Sequence, residues 1–288
     1  MLTSIDVDSD NSFSVPILGI TPKDSILVRQ VTGLNPPDID LFIGDYARDG
    51  GTYQGRRVGK RNPVFTMELN PNPALGETVS SLRERLYKAF VDPLVEADYL
   101  KIGLRLDDGR LLFLVGYTEK FETEIFSVDT LAQISMICPD PYIRDEAATI
   151  LTHPSGWTTV PFTYKGTAET GFEVSIYITT ATPKLILANN TVTDDVENDL
   201  YLRGRMIFNR SFHMGDVVTI NTVRGHRRAW LDPVEGGPVI SILGDMTSTS
   251  PWLELHSQNN TMQVYGSDPT DLPAAIRSLT YVSAYWGI

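Results

Sequence analysis

Arg56, Arg57, Lys60 and Arg61 form the densest set of side chains in this sequence that could make a directed contact. A guanidinium or ammonium group seeks carboxylate or phosphate oxygens. These four sit in residues 44–63, where Gly50, Gly51, Gly55 and Gly59 occur with hardly an aliphatic side chain to anchor the stretch in a core. The segment reads as a projecting loop or hairpin arm, and its basic side chains are candidates for a contact between copies of the chain. Its glycines also suggest a phosphate loop, but Lys60 is followed by Arg61 where that motif needs Ser or Thr at a helix start.

Other chemistry has less support. Asp6, Asp8 and Asp10 match the opening of a calcium loop, yet Asn11 stands where glycine is needed and Ile17 where glutamate is needed. The three read instead as a solvated acidic end. His153, His213, His226 and His256 are scattered, with no pair spaced to face one metal from a helix or strand. No Gly-x-Ser-x-Gly elbow is present to activate a serine. Arg224, His226, Arg227 and Arg228 gather beside Trp230, and on an acidic chain they read first as a solvated strand face or salt-bridge set and second as a sugar or phosphate site. Trp157, Trp230, Trp252 and Trp286 all fall in the second half, where a stacking platform for carbohydrate is conceivable, although strand tryptophans more often fill a core. The sequence therefore nominates no catalytic, metal or cofactor residue, and an enzyme is not expected.

Charge narrows the partners. Lys and Arg number 24 against 36 Asp and Glu, a net charge of −12, which argues against nucleic acid as the main partner because duplex affinity comes largely from basic groups displacing counterions. Cys138 is the only cysteine, so neither an intrachain disulfide nor a cysteine-rich zinc site is expected. The opening residues are acidic and the apolar stretch 15–20 is interrupted by Pro16 and Gly19, so neither a secretory leader nor membrane insertion is expected. With 288 residues, 42% of them hydrophobic, two packed domains are predicted.

The elements that must position these groups follow from hydrophobic period. Val79, Leu82, Leu86 and Phe90 recur at spacings of three and four, which predicts a helix over 77–90 that Asp92-Pro93 closes. Elsewhere the period is two. Segments 99–106 and 110–118 flank Asp107-Asp108-Gly109 as a hairpin, and 121–128 and 131–138 extend it into a meander. Cys138-Pro139-Asp140-Pro141-Tyr142 breaks the pattern, which divides the chain into domains 1–140 and 141–288. Beyond it, short strands at 158–164, 172–179, 184–189, 199–208, 216–221, 239–243, 252–256, 261–265 and 279–286 have sandwich spacing. The fold class is mainly β with one α-helix, ending in an all-β sandwich.

Several segments carry a family likeness. Gly33-Leu34-Asn35-Pro36-Pro37, the glycine-rich 49–55, and Arg56-Arg57-Val58-Gly59-Lys60-Arg61-Asn62 leading into Val64-Phe65-Thr66-Met67-Glu68-Leu69 are followed by a helix and meander, then by Ile137-Cys138-Pro139-Asp140-Pro141-Tyr142. Later come Gly215-Asp216-Val217-Val218-Thr219-Ile220 and Ser250-Pro251-Trp252-Leu253-Glu254-Leu255, with Asn259-Asn260-Thr261-Met262-Gln263-Val264. This layout resembles, nearly end to end, the distal tail proteins of long-tailed, siphovirus-like bacteriophages, a structural family of the tail-tip and baseplate hub.

The resemblance implies an N-terminal β-barrel or belt domain that closes a six-membered ring, and a C-terminal galectin-like β-sandwich on its outside. Such a ring joins the tail tube protein to tail-tip, baseplate hub and receptor-binding proteins. It is assembled in the host cytoplasm, resides in the virion and meets DNA only in transit through its channel. On that reading Arg56, Arg57, Lys60 and Arg61 are oligomer-interface candidates. Asp107, Asp108, Glu119, Glu122 and Glu124 are channel-lining candidates, because a basic wall would hold phosphates. Galectin sugar sites pair a Trp-x-x-Glu strand with histidine, asparagine and arginine, whereas Trp252-Leu253-Glu254 has another spacing, so sugar binding does not carry over with the fold. The alternative function is a carbohydrate-binding module that attaches the particle to host cell-surface glycans, with a glycan hydrolase ranked third.

Overall fold

The structure, a computed structural model, describes residues 2–8, 15–18, 24–45, 51–90, 99–123, 130–190 and 204–288. They form two compact units, Met1–Glu146 with Tyr285–Ile288, and Ala147–Ala284.

The first unit contains β1 (Leu2–Asp8), β2 (Val15–Leu18), β3 (Ile26–Thr32), β4 (Ile39–Asp45), β5 (Gly51–Val58), β6 (Val64–Leu69), α1 (Val79–Phe90), β7 (Leu100–Leu106), β8 (Leu111–Thr123), β9 (Leu131–Ile137) and β10 (Ile143–Asp145). Seven strands pair in the order β2-β1-β7-β8-β9-β6-β3, and β10 pairs with β8. Alternation sets their inner face: Leu100, Ile102, Leu104 and Leu106 of β7 and Ala132, Ile134 and Met136 of β9 are buried. Helix α1 places Leu82, Leu86 and Phe90 in the same core, with Val79 at its margin, as the spacing predicts. Thr78 Oγ1 accepts from the Ser81 amide at 3.1 Å while Ser81 Oγ accepts from the Thr78 amide at 2.9 Å, a reciprocal cap that satisfies helix-start donors. Gly109 takes φ +84° in the β7–β8 turn, where a side chain would be strained.

Two readings change. Strand β8 runs unbroken through 13 residues, joining what the sequence divides into 110–118 and 121–128. Its first half, Leu111–Gly116, pairs with β7 and its second, Tyr117–Thr123, with β9, where the register shifts between Thr118 and Lys120. The remainder of 121–128, and the Asp92-Pro93 closure of the helix, lie outside the described residues. Residues Leu2–Asp8 of the acidic N-terminal segment are a strand rather than a solvated end, and Asp10 lies outside the described residues. Ile5 is fully buried, and Asp6, 13% exposed, lies 4.0 Å from Arg105. Burial pushes the Asp6 carboxyl above its ordinary value, and Arg105 opposes that shift.

The second unit contains β11 (Thr149–Trp157), β12 (Thr159–Tyr164), β13 (Phe172–Ile178), β14 (Leu185–Asn189), β15 (Arg205–Phe208), β16 (Val217–Asn221), β17 (Arg228–Asp232), β18 (Ile240–Ser241), β19 (Gln258–Tyr265) and β20 (Ala274–Tyr281). Two sheets, β11-β20-β13-β16-β17-β18 and β12-β19-β14-β15, enclose one core that includes Phe172, Val174, Ile176, Leu185, Leu187, Val218, Val264 and Leu279. Segment 252–256 buries Leu253 and Leu255 but makes one bridge, Leu255 to Thr170, in place of a strand. Segment 239–243 shortens to β18 and a 3-10 turn at Leu243–Asp245. Strands β11 and β17 are additions. His153-Pro154-Ser155-Gly156 and a register slip between Thr152 and Trp157 hide the period of β11, and β17 buries only Ala229 and Leu231 between charged ends.

Leu86 is fully buried in the first core. Leu86→Ala should lower unfolding stability by about 2–5 kcal/mol in denaturant titration; stability equal to wild type would mean that α1 does not brace the sheet.

Candidate interaction surface

Among the described residues, strands β4 and β5 pair only with each other, in a register from Ile39 opposite Val58 to Asp45 opposite Gly51. This is the arm that the glycine-rich basic segment predicts. Unlike that expectation, it carries apolar side chains on β4, so it presents a mixed surface. Ile39, Leu41, Phe42, Ile43 and Tyr53 are 41 to 60% exposed, beside exposed Arg56, Arg57 and Lys60. Contiguous exposed apolar side chains rimmed by charge are the usual mark of an interaction site.

Arg61 is placed differently from its three basic neighbours. It is 2% exposed. Its Nε donates to the Pro141 carbonyl at 2.7 Å, Nη1 to those of Gly33 at 2.9 Å and Asn35 at 2.7 Å, and Nη2 to that of Trp286 at 2.6 Å. Its backbone exchanges hydrogen bonds with Cys138 at 3.1 and 2.8 Å. Burial draws Arg61 below the ordinary guanidinium value and pushes the Cys138 thiol up to about 11. Gly33 has φ +77°, and a Cβ there would meet the Asn62 carbonyl oxygen at 2.1 Å, so this approach requires glycine. The Gly59 amide donates to the Asp38 carbonyl at 2.9 Å, tying the arm's two roots together.

The acidic candidates do not form one patch. Asp107 and Asp108 occupy the β7–β8 turn, where Asp108 accepts from Arg110 Nε at 2.7 Å. Glu119 and Glu122 lie at the far end of β8, about 35 Å along the strand from that turn. Glu119 accepts from Asn62 Nδ2 and Ser135 Oγ, both at 2.9 Å, and Glu122 pairs with Lys120 at 2.5 Å. A cavity of about 380 Å³ beside Glu122 is lined by Thr66, Leu131 and Gln133. Glu124 lies outside the described residues.

In the second unit the basic cluster is a salt-bridge set. Arg224 grips Glu254 through two bonds of 3.0 and 3.2 Å, Arg227 approaches the same carboxylate at 3.7 Å and lies over Trp252, and Arg228 lies 4.3 Å over Trp230. Trp157 and Trp252 pack against the sandwich core, whereas Trp286 belongs to the first unit. His256 Nδ1 lies 3.0 Å from Glu169, whose hydrogen bond raises the imidazole value against the opposing effect of burial. Among the described residues no group of three His, Cys, Asp or Glu side chains could hold a metal ion, and no helix is long and apolar enough to cross a membrane.

Sequence comparison matches no protein family and no curated protein. Comparison with solved structures finds the SPP1 Dit protein, described as a paradigm of the hub adsorption apparatus in phages infecting Gram-positive bacteria. It is 15% identical, with a TM-score of 0.60 over 98% of each chain. This chain has the fold of a phage hub adsorption protein. A chain of the phage P2 baseplate, in its activated conformation with calcium, also matches over 98% of each chain at 11% identity and a TM-score of 0.46.

Two predictions follow from the placement of charge. Arg61→Met should cost about 3 kcal/mol or more, since it strands buried carbonyls, whereas Arg57→Glu with Lys60→Glu should leave the unfolding stability of the separate chain within about 0.5 kcal/mol. Equal losses in thermal unfolding would contradict this division. In the second unit, a raised His256 value means that the folded state holds the proton more tightly than the unfolded chain. The Glu169 contact therefore adds stability that is complete below about pH 6.5 and is lost as pH rises through the folded value. Unfolding midpoints measured from pH 5.5 to 8.5 should lose that component in His256→Gln.

Proposed function

We propose that this chain is a structural protein of a phage tail tip. Six copies form a ring that joins the tail tube to tail-tip and receptor-binding proteins and leaves a channel for DNA. The first unit is the ring-forming belt and the second a galectin-like domain. The observation that carries this reading is the arm. A two-stranded hairpin is marginal by itself in water, and this one exposes five large apolar side chains beside three cations on a chain of net charge −12. Burying each of those side chains fully would contribute about 1.5–3 kcal/mol, and a neighbour's carboxylates complement Arg56, Arg57 and Lys60. A head-to-tail contact of this kind closes into a ring when the rotation per copy fits. Likeness of fold to a hub adsorption protein over almost the whole length of both chains gives the same direction.

The channel is assigned to the carboxylates of the first unit, with Glu119 and Glu122 at one level and Asp107 and Asp108 at another. The particle is assembled in the host cytoplasm and the protein is carried in the virion.

Light scattering coupled to size exclusion tests the ring. The expected mass is about 192 kDa, six times the 32.0 kDa chain. Arg56→Glu with Arg57→Glu and Lys60→Glu should return it to the single chain, and high salt should weaken the wild-type assembly. A wild-type chain that stays single at high concentration and low salt would sink the proposal of self-closure.

A further inference from the structure

We infer that the segment Tyr285–Ile288 braces the arm, so that the surface offered to a neighbouring copy is composite: the hairpin of β4 and β5 together with Trp286. The inference rests on the reading of the arm as a contact between copies. The hairpin pairs with no other strand among the described residues, so its direction must be set at its roots. One guanidinium holds both. Arg61 follows the exit of β5, and its Nη1 takes the carbonyls of Gly33 and Asn35, which lead into β4. The Nη2 of the same side chain takes the Trp286 carbonyl at 2.6 Å.

Trp286 then reaches the arm itself. Arg56 lies over its indole at 5.9 Å, and Tyr142 meets the ring edge-on at 5.2 Å. Gly287 runs so close to the entry strand that an added Cβ would lie 2.9 Å from the Leu34 carbonyl oxygen and 3.1 Å from Pro36. The brace is itself anchored, because Tyr285 is buried in the first core and its hydroxyl bonds Asp145 at 3.1 Å. An arm ordered before contact avoids the entropy loss that ordering on contact would impose. Trp286 thereby controls the arm's competence to dock, acting as a positioning residue at its base.

Trp286→Ala tests this in the full chain, since alanine keeps the carbonyl that Arg61 uses. Amide hydrogen exchange is followed in Ile39–Asp45 and Gly51–Val58, with Leu100–Leu106 and Leu131–Ile137 as internal reference, and self-association is followed by light scattering. Exchange in the arm should rise by about tenfold or more with the reference strands unchanged, association should weaken by about tenfold or more, and Trp286→Phe should restore both. Unchanged exchange in the arm overturns the brace, as does an equal rise in the reference strands. Faster arm exchange with wild-type association overturns the link to docking. If wild type does not self-associate, the ring reading fails by itself, and the exchange contrast still decides whether the brace exists.

Discussion

Burying a guanidinium is unfavourable unless its donors find acceptors, and the first unit is organised around supplying them to Arg61. Four carbonyls converge on it from stretches 28, 26, 80 and 225 residues away. None of these stretches is a regular strand at the point of contact. The planar fork of arginine can serve several such acceptors at fixed angles, which a lysine ammonium at the same place could not reproduce. Around this contact, Arg61 and Cys138 extend the pairing of β6 with β9 by one bridge, and the chain turns from the exposed arm directly into the core.

Much of this was legible in the sequence where burial imposes a period. The stripe Val79, Leu82, Leu86, Phe90 named the helix, and alternation named β7, β9 and most of the sandwich. What could not be read were elements whose period is broken or whose charge is neutralised by distant partners. β11 contains proline and glycine at its slip, and β17 looks like a charged cluster because Arg228 and Asp232 bracket it. Arg61 was hidden for a related reason. In sequence it is one of four cations in a run, and only the Asn62-Pro63 step into alternating Val64-Phe65-Thr66-Met67 marks where the chain turns inward. Residue type gives a side chain's chemistry but not the carbonyls that lie around it.

The candidate surface shows the same division. Glycine and positive charge announced a projecting arm, while its apolar half was carried by Ile39, Leu41, Phe42 and Ile43, upstream of the basic run and read there as part of no element. The acidic candidates read in sequence as one channel lining, yet strand β8 sets Asp107 and Asp108 at one end and Glu119 and Glu122 at the other. Glu119 is drawn toward Asn62 and Ser135, beside the root of the arm, so the same short region that carries a cation inward fixes a carboxylate outward.

The 225-residue separation between Arg61 and Trp286 also imposes an order in time. Translation runs from the amino end, so all of Ala147–Ala284 is synthesised before the last carbonyl needed by Arg61 exists. At about 5–20 residues per second that interval is roughly 7–28 s. During it the nascent first unit holds an unfinished guanidinium site, and the second unit still lacks β20, the strand that lies between β11 and β13.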